Sequence, residues 1–292
     1  MKRIFLVIII GALMLVTVSC SGNKTQELAG LLSGEKDDTD GSNMEIIVPE
    51  LDNGRAVLFK LPTEEYILAD CGTTKDFPKL FELLRNNNVE FIDHIILTSD
   101  SEVCIGGLDK ILANFSVGEI HISDQVKDKE VYLSLCKMAA GEDAWLRLEC
   151  EGSRIYDFES VCFDVVSSFN CVNSGGKHCV MSVYVTYRER AFLLEADGDY
   201  WSETEMVATK PYDIRADVLF VANCGSNETS NSSFLQAVCP EDAVIPVYGN
   251  KTVSDVVLKS MKICDIDVWR TDFSGNITVI SDGEDYSIKK ER

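Results

Sequence analysis

Histidine is scarce in this chain: only His94, His121 and His178 occur among 292 residues. That excludes a centre built from many clustered imidazoles. His94 and His121 fall inside apolar, β-branched runs, where core or strand-surface side chains are expected. Only His178 stands beside a segment with site-like loop character. Basic residues are also in short supply, with 27 lysines and arginines against 48 aspartates and glutamates and a formal net charge of −21. A surface of that sign repels phosphate backbones and forgoes the counterion release that drives nonspecific nucleic-acid binding. Nucleic acid is therefore a poor partner. There is no internal repeat and no second shift of composition beyond residue 43, which excludes a repeat array and argues against a second domain.

What is present begins with an address. Lys2 and Arg3 precede an apolar run from Ile4 to Val18, followed by Ser19-Cys20. A charged start, a long apolar stretch and a small residue before cysteine resemble a bacterial lipoprotein signal. Residues 1–20 are thus expected to be the signal peptide, with Cys20 lipidated as the mature N-terminus. The protein is then anchored to the membrane through Cys20, in the bacterial cell envelope on the outer side of the cytoplasmic membrane. Residues 21–43 are rich in Ser, Gly, Lys, Asp and Thr and predict a flexible tether with a reach of about 5–6 Å × √n. Residues 44–292 are enough for one α/β domain with its own core.

Eleven cysteines occur, and an even number remains once Cys20 is set aside. In an exported chain that invites a disulfide framework. Cys136 and Cys162 lie in apolar periodic segments, however, and are expected to be buried free thiols.

Within the domain, strands are expected over 44–48 and 55–60, flanking the turn Leu51-Asp52-Asn53-Gly54, and over 66–69. Helical spacing follows over 77–86, a strand over 92–97, a helix near 108–115, a strand over 119–122 and a helix over 129–140. The middle is β-rich, with strands over 154–158, 161–166, 182–187 and 191–194. The last third alternates: strands over 217–221, 243–247, 267–270 and 276–281, with helices over 233–238 and 253–261. Two β-rich halves, each with its own helices, predict two sheets packed face to face with helices outside.

The loop after the 92–97 strand carries the most information. Thr98-Ser99-Asp100-Ser101-Glu102-Val103-Cys104-Ile105-Gly106-Gly107 resembles the Thr-His-x-His-x-Asp-His-x-Gly-Gly loop of the metallo-β-lactamase superfamily. The three histidines fall on Ser99, Ser101 and Cys104, and the aspartate falls on Val103. Further fragments, in order, are similar to the hydrolase domain of the ComEC competence proteins. The opening Asp-Val-Gly-Gln-Gly-Asp-Ala stands as Glu50-Leu51-Asp52-Asn53-Gly54-Arg55-Ala56, and Ile-Asp-Thr-Gly as Ala69-Asp70-Cys71-Gly72. Leu-Leu-Thr-Gly-Asp stands as Leu193-Leu194-Glu195-Ala196-Asp197. His-His-Gly-Ser stands as Asn223-Cys224-Gly225-Ser226, and Tyr-Gly-His-Pro as Tyr248-Gly249-Asn250-Lys251. The closing Arg270-Thr271-Asp272-Phe273-Ser274-Gly275-Asn276-Ile277 keeps the family pattern.

The resemblance implies a four-layer αββα metallo-β-lactamase fold, with residues 98–107 and 223–226 converging on one cleft. It also implies that the metal centre has been emptied. These hydrolases hold zinc, which lowers the pKa of bound water towards about 7, through several His and Asp ligands. Of those positions only Asp197, the bridging carboxylate, persists; Ser99, Ser101, Val103, Cys104, Asn223, Cys224 and Asn250 are vestigial. Asp70 and Asp197 are then held by hydrogen bonds of the fold. No cofactor and no catalytic residue are expected, and the protein is more an envelope binding or scaffold module, for a protein or small-molecule ligand, than an enzyme. Cys104 and Cys224 leave alternatives open: free buried thiols, a disulfide across the old site, or a zinc site with Asp197, helped by His178 or Asp100. The last would make the chain a divergent phosphodiesterase- or nuclease-like hydrolase. A role as a DNA-uptake accessory is a further alternative, against which the acidity counts. Cys104 as a metal-free nucleophile has no histidine near it in sequence to activate it.

Overall fold

A computed structural model describes residues 43–171, 178–195, 197–209 and 214–292; the expected signal with Cys20, and all but the last residue of the expected tether, lie outside them. The chain opens with β1 (Met44–Val48), β2 (Val57–Lys60) and β3 (Tyr66–Ala69), paired antiparallel in succession. β4 (Phe91–Leu97), β5 (Ser116–Ser123) and β6 (Trp145–Glu149) add in parallel beyond β3. Parallel neighbours need a crossover. The helices Phe77–Asn86, Leu108–Leu112 and Lys129–Gly141 supply it, the last capped by Asp128, whose side chain accepts from the amides of Glu130 and Val131.

The second sheet starts as an antiparallel meander of β7 (Arg154–Phe158), β8 (Val161–Cys171), β9 (His178–Tyr187) and β10 (Arg190–Leu194). It continues in parallel through β11 (Val218–Phe220), β12 (Asp242–Ile245) and β13 (Asp267–Arg270). β14 (Ile277–Ser281) and β15 (Tyr286–Lys290) return to the first sheet beside β1.

Three apolar layers hold the stack together. Phe59, Phe163, Tyr187, Phe192 and Phe220 fill the space between the sheets, Phe59 meeting Phe163 edge-on at 5.1 Å. Leu80, Leu84, Ile111 and Leu135 bind the first sheet to its helices, and Met206, Phe234, Leu235 and Met261 bind the second sheet to the helices Tyr200–Thr209, Ser232–Val238 and Asp255–Ile263. The αββα architecture predicted from the sequence is what forms. Among the described residues no helix is long and apolar enough to cross a membrane.

Several boundaries move, for local reasons. The strand expected over 55–60 starts at Val57, because the amide of Arg55 bonds instead to the carbonyl of Val103 at 3.1 Å. β8 and β9 run on to Cys171 and back to His178, since a register shift between Val165 and Ser167 lets pairing continue past the expected ends. His178 therefore begins β9 rather than preceding it. β6, the helix Tyr200–Thr209 and β15 went unpredicted. In β6 and that helix, the exposed Trp145, Leu148, Trp201 and Val207 blur the apolar periodicity that betrays a half-buried element. Cys136 and Cys162 are free thiols, but half-buried rather than buried.

Candidate functional site

In open α/β sheets, ligands gather outside the carboxyl ends of parallel strands. β4 delivers Thr98 to such an end, β10 delivers Glu195 and Asp197, β11 delivers Asn223 and Cys224, and β12 delivers Tyr248. The two sheets are stitched together there, with the amide of Met181 on the carbonyl of Thr98 at 2.7 Å and a bridge from Ser99 to Val180.

The glycines of the motif are there for close approach. A Cβ on Gly107 would lie 2.3 Å from the carbonyl oxygen of Cys71, and one on Gly54 would lie 2.6 Å from that of Val103. Asn223, Cys224 and Gly225 pass in succession through the left-handed region, with φ of 45°, 55° and 64°. Asp76 locks the hairpin tip to the next loop, accepting from the amides of Asp52, Asn53 and Thr73 at 3.0, 2.9 and 3.0 Å. Burial pushes its pKa up, but the bonds from Thr73 and Asn53 prevail and hold it below the usual carboxylate range.

At the centre lies a side chain to which sequence reasoning gave no role. Arg55 is buried, with its Nε donating to Asp70 Oδ2 at 2.7 Å. Its Nη2 donates to Thr98 Oγ1 at 2.9 Å and to the carbonyl of Glu195 at 3.1 Å, while Nη1 lies 3.7 Å from Asp197 Oδ1. Asp70 also accepts from the amide and hydroxyl of Thr98, at 2.8 and 2.7 Å. Burial, the largest single influence, opposes the charge on Arg55, yet Asp70 with Cys104, Asp197 and Tyr248 together outweigh it, and the guanidinium is held above its ordinary value. The available signal was the reversal of charge where the related motif has Asp.

The structure brings several of the motif positions together around Asp197. Asp197 Oδ2 accepts from Ser101 Oγ at 3.0 Å and from the Cys104 thiol at 3.8 Å. Its Oδ1 accepts from the Tyr248 hydroxyl at 3.3 Å. Lys251 closes the rim, with Nζ 3.3 Å from that hydroxyl and 2.7 Å from Asn223 Oδ1. Cys104 and Cys224 are buried and free. Burial pushes both thiols up, reinforced at Cys104 by Asp70 and Asp197. Ser99 is buried and accepts from the amide of Ser101 at 3.2 Å, Val103 contributes only its carbonyl, and Asn250 is exposed on the rim. His178 pairs with Asp100 at 3.2 Å, and Asp100 is further occupied by the amide of Cys179 at 3.0 Å.

This donor set does not suit the zinc ion of the hydrolases whose loop the sequence resembles. Thiols ligate zinc as thiolates, and here burial pushes the pKa of both thiols up, against thiolate formation. Both oxygens of Asp197 are already engaged, and a fixed guanidinium lies within 3.7 Å of one of them.

Sequence reasoning also missed a pair of buried acids behind this loop. Glu203 accepts from the amide and side-chain amide of Asn231 at 3.0 and 2.6 Å. Burial pushes it up to about 7. Burial, and then its neighbour Glu203, holds Glu195 well above the carboxylate range.

Comparison with solved structures identifies the fold as that of the metallo-β-lactamases. The metallo-β-lactamase fold protein YhfI from Bacillus subtilis superposes with a TM-score of 0.60 at 13% identity, covering 82% of this chain and 100% of its own. Zn(2+)-bound PqqB from Methylobacterium extorquens gives 0.54 at 9% identity, covering 78% and 98%. CmlA, a diiron β-hydroxylase from Streptomyces venezuelae, gives 0.53 at 11% identity, covering 77% and 52%. No protein-family model matches the chain, and no curated protein matches it significantly.

Proposed function

We propose that the protein is a non-catalytic, ComEC-like form of the metallo-β-lactamase fold. In this reading it is anchored by a lipidated Cys20 to the outer side of the cytoplasmic membrane, carried on the 21–43 tether, and acts as a binding or scaffold module. One observation carries it: the Arg55 guanidinium, bonded to Asp70 and beside Asp197, supplies the positive charge that a metal ion supplies in the related hydrolases. Water activation needs a Lewis acid with an open coordination position. A guanidinium does not coordinate water and stays protonated. The ordered series of family-like fragments supports ComEC-type ancestry. The Ser19-Cys20 ending supports the anchor.

What remains for recognition is the polar rim of Asn223, Asn250, Lys251 and His178 over a floor in which the buried Arg55 guanidinium faces Asp70 and Asp197. A rim of that chemistry suits hydrogen bonding to a protein or small-molecule ligand. The test is turnover by the full chain, supplied with Zn(II) or Mn(II), on a phosphodiester, on DNA and on a β-lactam. No hydrolysis above the metal-only control is expected. Metal-dependent hydrolysis that disappears in Cys104→Ser would replace this reading with that of a divergent hydrolase.

A further inference from the structure

We propose that His94, Glu119 and His121 form a binding site for one divalent transition metal of the zinc class, separate from the Arg55 cleft. The three donors sit on two adjacent parallel strands, where His94 of β4 is the register partner of Glu119 of β5, and His121 follows two residues on along the same face. Their donor atoms lie within 4.8 Å of one another, and among the described residues no other group of His, Cys, Asp or Glu gathers in this way. His94 Nδ1 is 3.0 Å from His121 Nε2, and Glu119 Oε2 is 3.6 Å from that same nitrogen. Two donors at zinc–nitrogen distance on a tetrahedron stand about 3.3 Å apart. The observed separations bracket that value.

The surroundings point the same way. His121 Nδ1 is bonded to Glu149 Oε1 of β6 at 2.9 Å, which places the proton on Nδ1 and leaves the Nε2 lone pair aimed at His94 and Glu119. A carboxylate behind a histidine is the usual support of a metal-ligating imidazole. Arg147 takes the other oxygen of Glu119 at 2.8 Å, fixing that side chain with Oε2 turned inward. The bond from Arg147 first, and the one from His121 first in the case of Glu149, hold these carboxyls below their ordinary range. Burial, then His121, lowers the pKa of His94 from the usual imidazole value. Tyr156 of β7 packs edge-on against His94 at 5.7 Å and closes the inner side. The Glu119 side chain is 29% exposed, so solvent reaches the edge of the cluster.

Two imidazoles and one carboxylate select Zn(II), Co(II), Ni(II) or Cu(II) over Mg(II) and Ca(II). On binding, His94 coordinates through Nδ1 and carries its proton on Nε2. The ion would tie β4 to β5 and, through Glu149, to the edge strand β6. The site lies four residues, about 13 Å along a strand, before Thr98, and so does not depend on what the cleft does.

The test is calorimetric titration of the chelator-treated full chain with Zn(II), with Co(II) absorption as the spectroscopic probe. One ion per chain is expected. Binding should persist in a Cys104→Ser, Cys150→Ser, Cys224→Ser triple variant, and the Co(II) spectrum should lack thiolate charge transfer. His121→Asn should lose at least 100-fold in affinity, and Glu149→Gln about 10- to 100-fold. Because His121→Asn could fail to fold, the Glu149→Gln result stands on its own. Unchanged affinity in Glu149→Gln, loss of the ion in the triple variant, or no binding at micromolar Zn(II) would each overturn the proposal.

Discussion

Arg55 Nε and Asp70 Oδ2 stand 2.7 Å apart with side chains only 3% and 2% exposed. A buried ion pair is costly to break, because removing one partner leaves the other charge without water or counter-charge. Arg55→Met should therefore destabilise the domain by about 3–5 kcal/mol, read by urea or thermal unfolding. Arg55→Lys keeps the charge but loses the Nη2 bonds to Thr98 and to the Glu195 carbonyl. It should fall between wild type and Arg55→Met.

The Glu195–Glu203 pair makes stability depend on pH in an unusual direction for acidic groups. A carboxyl whose folded pKa is raised contributes stability that is fully present below its unfolded value and is lost as pH rises through the folded value. For Glu203 that upper point is about 7. The melting temperature should fall by several degrees between about pH 5 and 8. In Glu195→Gln, whose amide can donate to Glu203 without titrating, the fall should flatten. A wild-type melting temperature rising across that interval would contradict the pairing.

Thiol labelling of the native protein should separate the cysteines by environment. Cys150 and Cys239 are exposed, whereas Cys104 and Cys224 are buried with raised pKa values. Thiolate is the reacting species. Mass spectrometry after timed alkylation should find the first two modified early and the second two only after unfolding. Cys104 and Cys224 both resisting label in denaturant without reductant would instead indicate a bridge across the cleft.

Gly107→Ala tests the close backbone approach that the glycine permits. The added methyl would meet the Cys71 carbonyl oxygen at 2.3 Å, and backbone on both sides leaves little room to yield. A loss on the order of 2–3 kcal/mol is expected by denaturant titration, against little change for Gly141→Ala, where a Cβ meets nothing within 4 Å.

The layered architecture was legible because its markers are local. The turn Leu51-Asp52-Asn53-Gly54 between two apolar runs marks β1 and β2, and helical spacing marks Phe77–Asn86. The residues of the family-like fragments keep their places because backbone geometry demands them: Asp70 at φ 60°, Gly107 against Cys71, Gly225 at φ 64°. The cleft was legible only by halves. Asp197, Ser101 and Cys104 meet as the motif implied, but the partners of Arg55 lie 15, 43 and 140 residues away at Asp70, Thr98 and Glu195. No local pattern links them. His94 and Glu119 become neighbours only once β4 pairs with β5. For the same reason, the histidines assigned to strand interiors also form a cluster that the sequence does not display.

The most direct test of Arg55 as the cation of the cleft is a crystal grown with Zn(II), with diffraction recorded on either side of the zinc absorption edge. The anomalous map should show no density within bonding distance of Asp197, Cys104 or Cys224, with the Arg55 guanidinium still on Asp70. A zinc peak bonded to Asp197 and either cysteine, with Arg55 displaced, would contradict it.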